Sequence, residues 1–321
     1  MDLVLIAAGV IALALFLYVL LDGFDLGIGC LTLVMRNTQQ RELAIATVAP
    51  VWDGNETWLV LGGAGLFGFF PLAYAALLPA LYVPVMVMLF ALVFRGVVFE
   101  FRAKSTRTRG AWDLAFGFGS LIASFAQGAM LGAFIGGDFE WLSPFAMMSG
   151  AGLVCGYALL GACWLGFKTE GSMHAWALRA AKRLVPALVL FIALVSLWTP
   201  LAHAHIAARW FAWPNLLLLS PVPLATGALV LGLWLALMRE RPGWAFWCTI
   251  GVFALCYLGL AISLYPHIVP PDVTIWNAAA APDSLLFLLV GTLVLLPIIL
   301  GYTAHAYWVF RGKVHPGEGY H

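Results

Sequence analysis

The 321 residues are 63% hydrophobic and only 10% charged, with 16 Lys and Arg against 15 Asp and Glu and a formal net charge of +1. So little polar surface cannot coat a water-soluble globule of this length, which leaves an all-α integral membrane protein as the reading. No basic, aromatic-interleaved stretch suits nucleic acid, and the five cysteines stand apart in apolar runs without a zinc-type spacing, so neither a nucleic-acid partner nor such a metal centre is expected.

A hydrocarbon core about 30 Å thick takes roughly 20 apolar residues per helix. On that ruler the chain predicts nine spans, at 4–34, 51–70, 72–98, 112–136, 143–167, 184–203, 221–238, 244–265 and 284–310. The first starts almost at Met1, outruns a secretory signal and lacks a basic flank, so it reads as a retained helix. Inside it, "LLDGFDLGIG" sets Asp22 and Asp25 three residues apart, on one helix face. Gly23 and Gly27 form a small-xxx-small pair suited to close helix packing. The second span opens on "APVWDGNETWLVLGG", which places Asp53 and Glu56 on one face in turn. Spans two and three are joined by almost nothing at Pro71, and Pro79 and Pro84 are expected to kink the third. The stretches 35–50, 99–111, 168–183 and 266–283 read as connectors; the last, rich in proline, is expected to fold against the outer surface with Trp276 as an interfacial anchor.

Basic residues orient the spans, since Lys and Arg gather in short cytoplasmic loops. Arg36 and Arg41 fall in loop one, Arg95, Arg102, Lys104, Arg107 and Arg109 in loop three, Lys168, Arg179, Lys182 and Arg183 in loop five, Arg239 and Arg241 in loop seven, and Arg311 and Lys313 in the tail. Arg209 alone lies in the opposite set, which holds Asp138, Glu140, Asp272 and Asp283. The N-terminus is therefore expected on the periplasmic side and the C-terminus in the cytoplasm.

This orientation brings Asp22, Asp25, Asp53 and Glu56 toward the cytoplasmic surface. A carboxylate in lipid costs ~3 kcal/mol or more, so it pairs, lines a wet cavity or takes up a proton. Two readings stay open: the two acidic faces form a proton inlet, or Asp53 caps the second span while Asp22 and Asp25 pair with Arg36 or Arg95. Histidine offers no facing mid-membrane pair for a haem. His203 and His205 lie at an outer span end, His267 follows span eight, and His174, His315 and His321 fall in cytoplasmic segments. Only His305 lies within a span, as a single possible ligand.

Four stretches carry a resemblance. "DGFDLGIG" (22–29), "APVWDGNETWLV" (49–60), "IVPPDVTIWNAAAAPDSLLFLLVG" (268–291) and "LPIILGYTAHAYWVFRGKV" (296–314) resemble subunit II of the cytochrome bd-type quinol oxidases, including their cyanide-insensitive relatives. The likeness covers the whole chain in length, span count and motif order, although 115–260 resembles the family in topology alone. It implies two four-helix bundles plus one peripheral helix. These are a first bundle with the acids (1–140), a second (141–266), and an outer loop, ninth helix and cytoplasmic tail (267–321). It further implies a subunit of a complex in the bacterial cytoplasmic (inner) membrane that oxidises quinol and reduces O2 to water. Two haems b and one haem d are expected in the partner, subunit I, and none ligated here, with room for a bound quinone and a small single-helix accessory subunit. In the family the Asp of "WDGN", here Asp53, takes in cytoplasmic protons. Glu56 departs from the neutral amide common at its position, and Asp22 and Asp25 match the motif without their role following from it. Against this stand an ion-coupled secondary transporter that uses the same acids, and a structural scaffold subunit without a proton path.

Overall fold

The structure is a computed structural model that describes residues 2–105 and 107–315; His321 lies outside the described residues. In chain order the helices are α1 (Leu3–Thr32), α2 (Thr38–Ala46), α3 (Trp52–Phe69), α4 (Pro71–Ala80), α5 (Tyr82–Lys104), α6 (Arg109–Gly136), α7 (Pro144–Lys168), α8 (Gly171–Ala202), α9 (Ala204–Phe211), α10 (Asn215–Leu219), α11 (Pro221–Met238), α12 (Pro242–Leu264), α13 (Ile275–Ala278) and α14 (Pro282–Val309). Between α12 and α13 lies an antiparallel pair, β1 (His267–Val269) and β2 (Val273–Thr274).

Local chemistry sets the ends. Asp2 accepts from the N–H groups of Val4 and Leu5 and so caps α1, and Ser143 with Pro144 opens α7 in the same way. Gly137, at φ 75°, closes α6 in the left-handed conformation that glycine adopts without strain.

Eight helices are long and apolar enough to cross a membrane: α1, α5, α6, α7, α8, α11, α12 and α14. The segment expected as span two is α3, whose 18 residues include Asp53, Asn55 and Glu56 and which falls outside that group. Span three is broken. A ten-residue α4 ends at Ala80 and α5 restarts at Tyr82, because a proline at position 84 clashes with the carbonyl four residues back, at Ala80. The connector expected at 168–183 is helical instead. It belongs to the 32-residue α8, whose first turns are rich in the strong helix formers Ala, Leu, Arg and Lys. The connector 35–50 likewise contains α2. Arg95, assigned from sequence to a loop, lies inside α5 and is fully buried.

α1 is the central element and packs on α3, α6 and α7, while α7 also meets α6, α8 and α12. Gly27 is where α1 and α7 cross: a Cβ there would run into the backbone carbonyl of Tyr157, and one at Gly23 would come within 2.7 Å of the Tyr157 ring. The aromatic core beside this crossing stacks Phe24 on Trp164 at 4.3 Å, with Phe246 at 5.3 Å from Trp164. At the opposite end the β-pair and α13 fold over α4, burying Val269, Ile275 and Ala278 against Phe69 and Phe70. Trp276 donates from Nε1 to Asp2 at 2.8 Å, which pins this flap to the start of α1.

Candidate functional site

The most polar feature inside the bundle is built on α1 and α5. Arg95 reaches Asp22 with both terminal nitrogens, at 2.6 and 3.0 Å, and Asp25 at 3.8 Å. All three side chains are completely inaccessible. Asp22 and Asp25 are seven to ten residues from the end of α1, so the cluster lies roughly 10–15 Å inside the bundle at 1.5 Å per residue. Two carboxyl groups share one guanidinium, so the cluster holds one acid more than it has buried counter-ions. Asp25 Oδ1 has no hydrogen-bond partner.

One hydrogen-bonded arm leaves the cluster, and a second polar set lies beside it. Asn55, one turn into α3 and 1% exposed, donates from Nδ2 to Asp25 Oδ2 at 2.8 Å and to the Leu21 carbonyl at 3.2 Å, and its own carbonyl accepts from the Tyr307 hydroxyl of α14 at 2.9 Å. On the other side Tyr18 lies buried on α1, one turn before Asp22. Tyr18 accepts from Gln127 Nε2 at 2.6 Å, and Gln127 Oε1 accepts from the Tyr157 hydroxyl at 3.0 Å. One polar line therefore runs from Tyr307 of α14 through Asn55 of α3 to the α1 and α5 cluster, and a second joins Tyr18, Gln127 and Tyr157 across α1, α6 and α7.

The remaining acids fall into a gradient. Asp53 is the second residue of α3 and is exposed, while Glu56, one turn on, is half-buried. In burial Glu56 is thus intermediate between the outermost acid and the enclosed pair. The capping reading of Asp53 does not hold, because the N-cap position is Val51 and no side chain caps this helix. Of the two partners weighed for Asp22 and Asp25, Arg95 is the one in place. Arg36 lies in the turn between α1 and α2 and is exposed. Asp113 forms a separate cluster with Arg102 at 2.6 Å and Arg41 at 3.1 Å, and Glu100 pairs on the surface with Lys104.

Arg95 was weighed from the sequence as a partner but counted to a loop, and Tyr307 is a site residue that sequence reasoning did not name. A lone arginine in "MLFALVFRGVVFEF" was itself a signal, since a charge among apolar residues marks a buried partner. Tyr307 carries no such mark. His305 is exposed on α14, with its ring beside Trp308. His203 and His205 stand 5.9 Å apart, centroid to centroid, where α8 passes into α9. Among the described residues no group of three or more His, Cys, Asp or Glu side chains is arranged to hold a metal ion.

Residues 3–310 match the family profile described as cytochrome bd terminal oxidase subunit II. The chain belongs to that family. It is 29% identical to the cytochrome bd-I ubiquinol oxidase subunit 2 of Escherichia coli K12, over 91% of this chain and 90% of that one. It is also 29% identical to the cytochrome bd ubiquinol oxidase subunit 2 of Bacillus subtilis 168, over 93% of each. The fold matches a chain of the bd oxidase structure from Geobacillus thermodenitrificans with a TM-score of 0.79 at 21% identity, over 97% of this chain and 99% of that one. The protein is thus a multi-pass membrane subunit of a terminal oxidase, an oxidoreductase complex of respiration, and a second subunit implies a first.

Proposed function

We propose that the protein is the haem-free second subunit of a quinol-oxidising, O2-reducing complex of the bacterial inner membrane. In this reading it packs beside a subunit I that carries two haems b and haem d, and it supplies a proton inlet from the cytoplasm. α3 counts as a ninth span, tolerated in spite of its acids because α1 and α14 cover its polar side. The N-terminus is then periplasmic and the C-terminus cytoplasmic, with α1, α3, α5 and α6 as one four-helix bundle, α7, α8, α11 and α12 as the second, and α14 at the periphery.

The observation that carries the inlet is the ordered burial of the acids: Asp53 exposed, Glu56 half-buried, Asp22 and Asp25 fully enclosed, two carboxyl groups against the one guanidinium of Arg95. A proton that enters at Asp53 meets at each step a carboxylate less hydrated than the last, and the unbalanced cluster offers it a neutralising site. Oxygen reduction consumes protons. Drawing them from the cytoplasm while quinol is oxidised at the other surface separates charge without a pump.

The test is Asp53→Asn combined with Glu56→Gln in the assembled complex. Both changes keep shape and remove the ionisable proton. Turnover and electrogenic proton uptake are expected to fall several-fold at unchanged haem content, and the double variant is expected to be slower than either single one. Unchanged uptake in the double variant removes the α3 acids from the path. The scaffold reading predicts a loss of thermal stability in place of a loss of rate.

A further inference from the structure

At the end of the bundle where α7 meets the tail, a cavity of about 280 Å³ is bordered by Thr47, Val51, Trp164, Lys168, Tyr307 and the segment 309–314. Its rim carries the exposed Gly312 and Lys313, and its wall carries Tyr307, the residue that ends the polar line from Asp25. The segment over it is tied down. Lys168, 4% exposed, donates from Nζ to the carbonyls of Phe310 and, at 2.7 Å, Gly312, with its ammonium 5.2 Å from the centre of the Trp164 ring. The Val314 N–H returns to the Lys168 carbonyl at 2.9 Å, and Lys313 pairs with Glu170 at 2.7 Å.

Resting on the reading that the buried acids take up protons, we propose that this cavity is a second water-filled entrance to Asp25, with Tyr307 and Asn55 as its gate. The two entrances flank the first turn of α3. Asp53 and Glu56 lie on one side of it, while Val51, Asn55 and Tyr307 lie on the other.

The hydrogen-bond directions make the pair a gate and not a wire. Tyr307 donates to Asn55, and Asn55 donates to Asp25. A neutral amide has no proton to spare and no free lone pair on nitrogen, so a proton cannot hop through Asn55 as it stands. With the amide swung aside, water from the cavity reaches Asp25. A hydronium ion then gives up a proton: one O–H bond of H3O+ breaks, an O–H bond on the Asp25 carboxylate forms, and neutral water is left behind. Asp25 Oδ1, buried and without a donor, is the acceptor such a step requires. Lys168 and Tyr307, which both border the cavity, and the carbonyls of the tail give it polar walls for water.

The test uses the assembled complex and blocks the cavity after folding. Thr47→Cys, in a background without the native cysteines, is modified with a small water-soluble methanethiosulfonate reagent, and Ala46→Phe, at a half-buried residue that also lines the cavity, serves as a second, genetic block. Each is measured with α3 intact and in the Asp53→Asn, Glu56→Gln background, at matched haem content. The expected result is labelling of Cys at position 47, a loss of about twofold in turnover with α3 intact, and a loss of tenfold or more in the acid-less background, where the cavity is the remaining route. Equal losses in both backgrounds, no loss, or a thiol at 47 that the reagent cannot reach overturns the proposal. In that event a slow Asp53→Asn, Glu56→Gln variant still upholds the α3 inlet. Conversely, a fast double variant that stops only when the cavity is blocked overturns the α3 inlet and leaves the cavity as the entrance.

Discussion

Arg95 holds together what would otherwise be two buried carboxylates with nothing between them. Removing one partner of a buried ion pair costs about 3–5 kcal/mol, because the charge left behind is uncompensated. Arg95→Gln is therefore expected to lower the thermal stability and yield of the complex sharply, and Asp22→Asn added to it is expected to restore part of the loss by removing one stranded charge. Arg95→Lys should fall between, since a single ammonium cannot hold both oxygens of Asp22 while also facing Asp25. Wild-type stability in Arg95→Gln would show that the pair contributes nothing. Much of this site was legible in the sequence: "DGFDLGIG" and "WDGN" named Asp22, Asp25 and Asp53, and Arg95 was one of the two partners weighed for the first pair. What the sequence hid was which of the two weighed partners is in place, and the polar residues beyond it, Tyr18, Gln127, Tyr157 and Tyr307. Placing Arg95 in a loop followed from assuming that charge marks the end of a span, whereas here the guanidinium sits nine residues before the end of α5 and is matched by acids on another helix.

Helices α1 and α7 meet with almost no room between their backbones, and the residue that permits it is Gly27. A side chain can swing away from an added methyl, but the Tyr157 carbonyl belongs to α7 itself, so Gly27→Ala must push the two helices apart. The expected outcome is a strong loss of haem-containing complex on purification. Gly9→Ala, on the same helix with nothing within 4 Å of the new methyl, is the control and should assemble as the parent does. Equal yields of the two would mean that the crossing tolerates an extra carbon. The element pattern divides along similar physical lines. Long apolar runs such as α1, α7 and α14 were readable almost to their ends, because hydropathy alone dictates a lipid-spanning helix. The break at Leu81 and the polar first turns of α8 were not, since they depend on a proline's steric reach and on helix propensity outside the lipid, where hydropathy is silent. The short β-pair was missed for another reason: three and two residues carry no periodicity to detect.

Charge distribution gives the molecule two different ends. Arg41, Arg102, Lys104, Lys168 and Lys313 gather at one, where they engage Asp113, Glu100, Glu170 and the carbonyls of the tail. At the other, the basic exception Arg209 donates from Nη1 to the carbonyls of Ile262, at 2.8 Å, and Tyr265. It therefore serves the open C-terminal end of α12 and does not weaken the asymmetry. Moving Arg95 from the loop into the bundle leaves that asymmetry intact too, because the residues on either side of 106 still supply Arg102, Lys104, Arg107 and Arg109 to the same connection. The positive-inside rule then predicts that this connection faces the cytoplasm and that the flap over α4 faces the periplasm. In cells expressing the complex without its native cysteines, a membrane-impermeant thiol reagent is expected to label Asp272→Cys, which is exposed on the flap, from outside. It should reach Thr108→Cys, exposed at the start of α6, only after the membrane is opened. The reverse pattern would turn the molecule over and put Asp53 and the cavity beneath Lys168 on the periplasmic side. Neither could then draw protons from the cytoplasm, so this labelling experiment comes before any measurement of proton uptake.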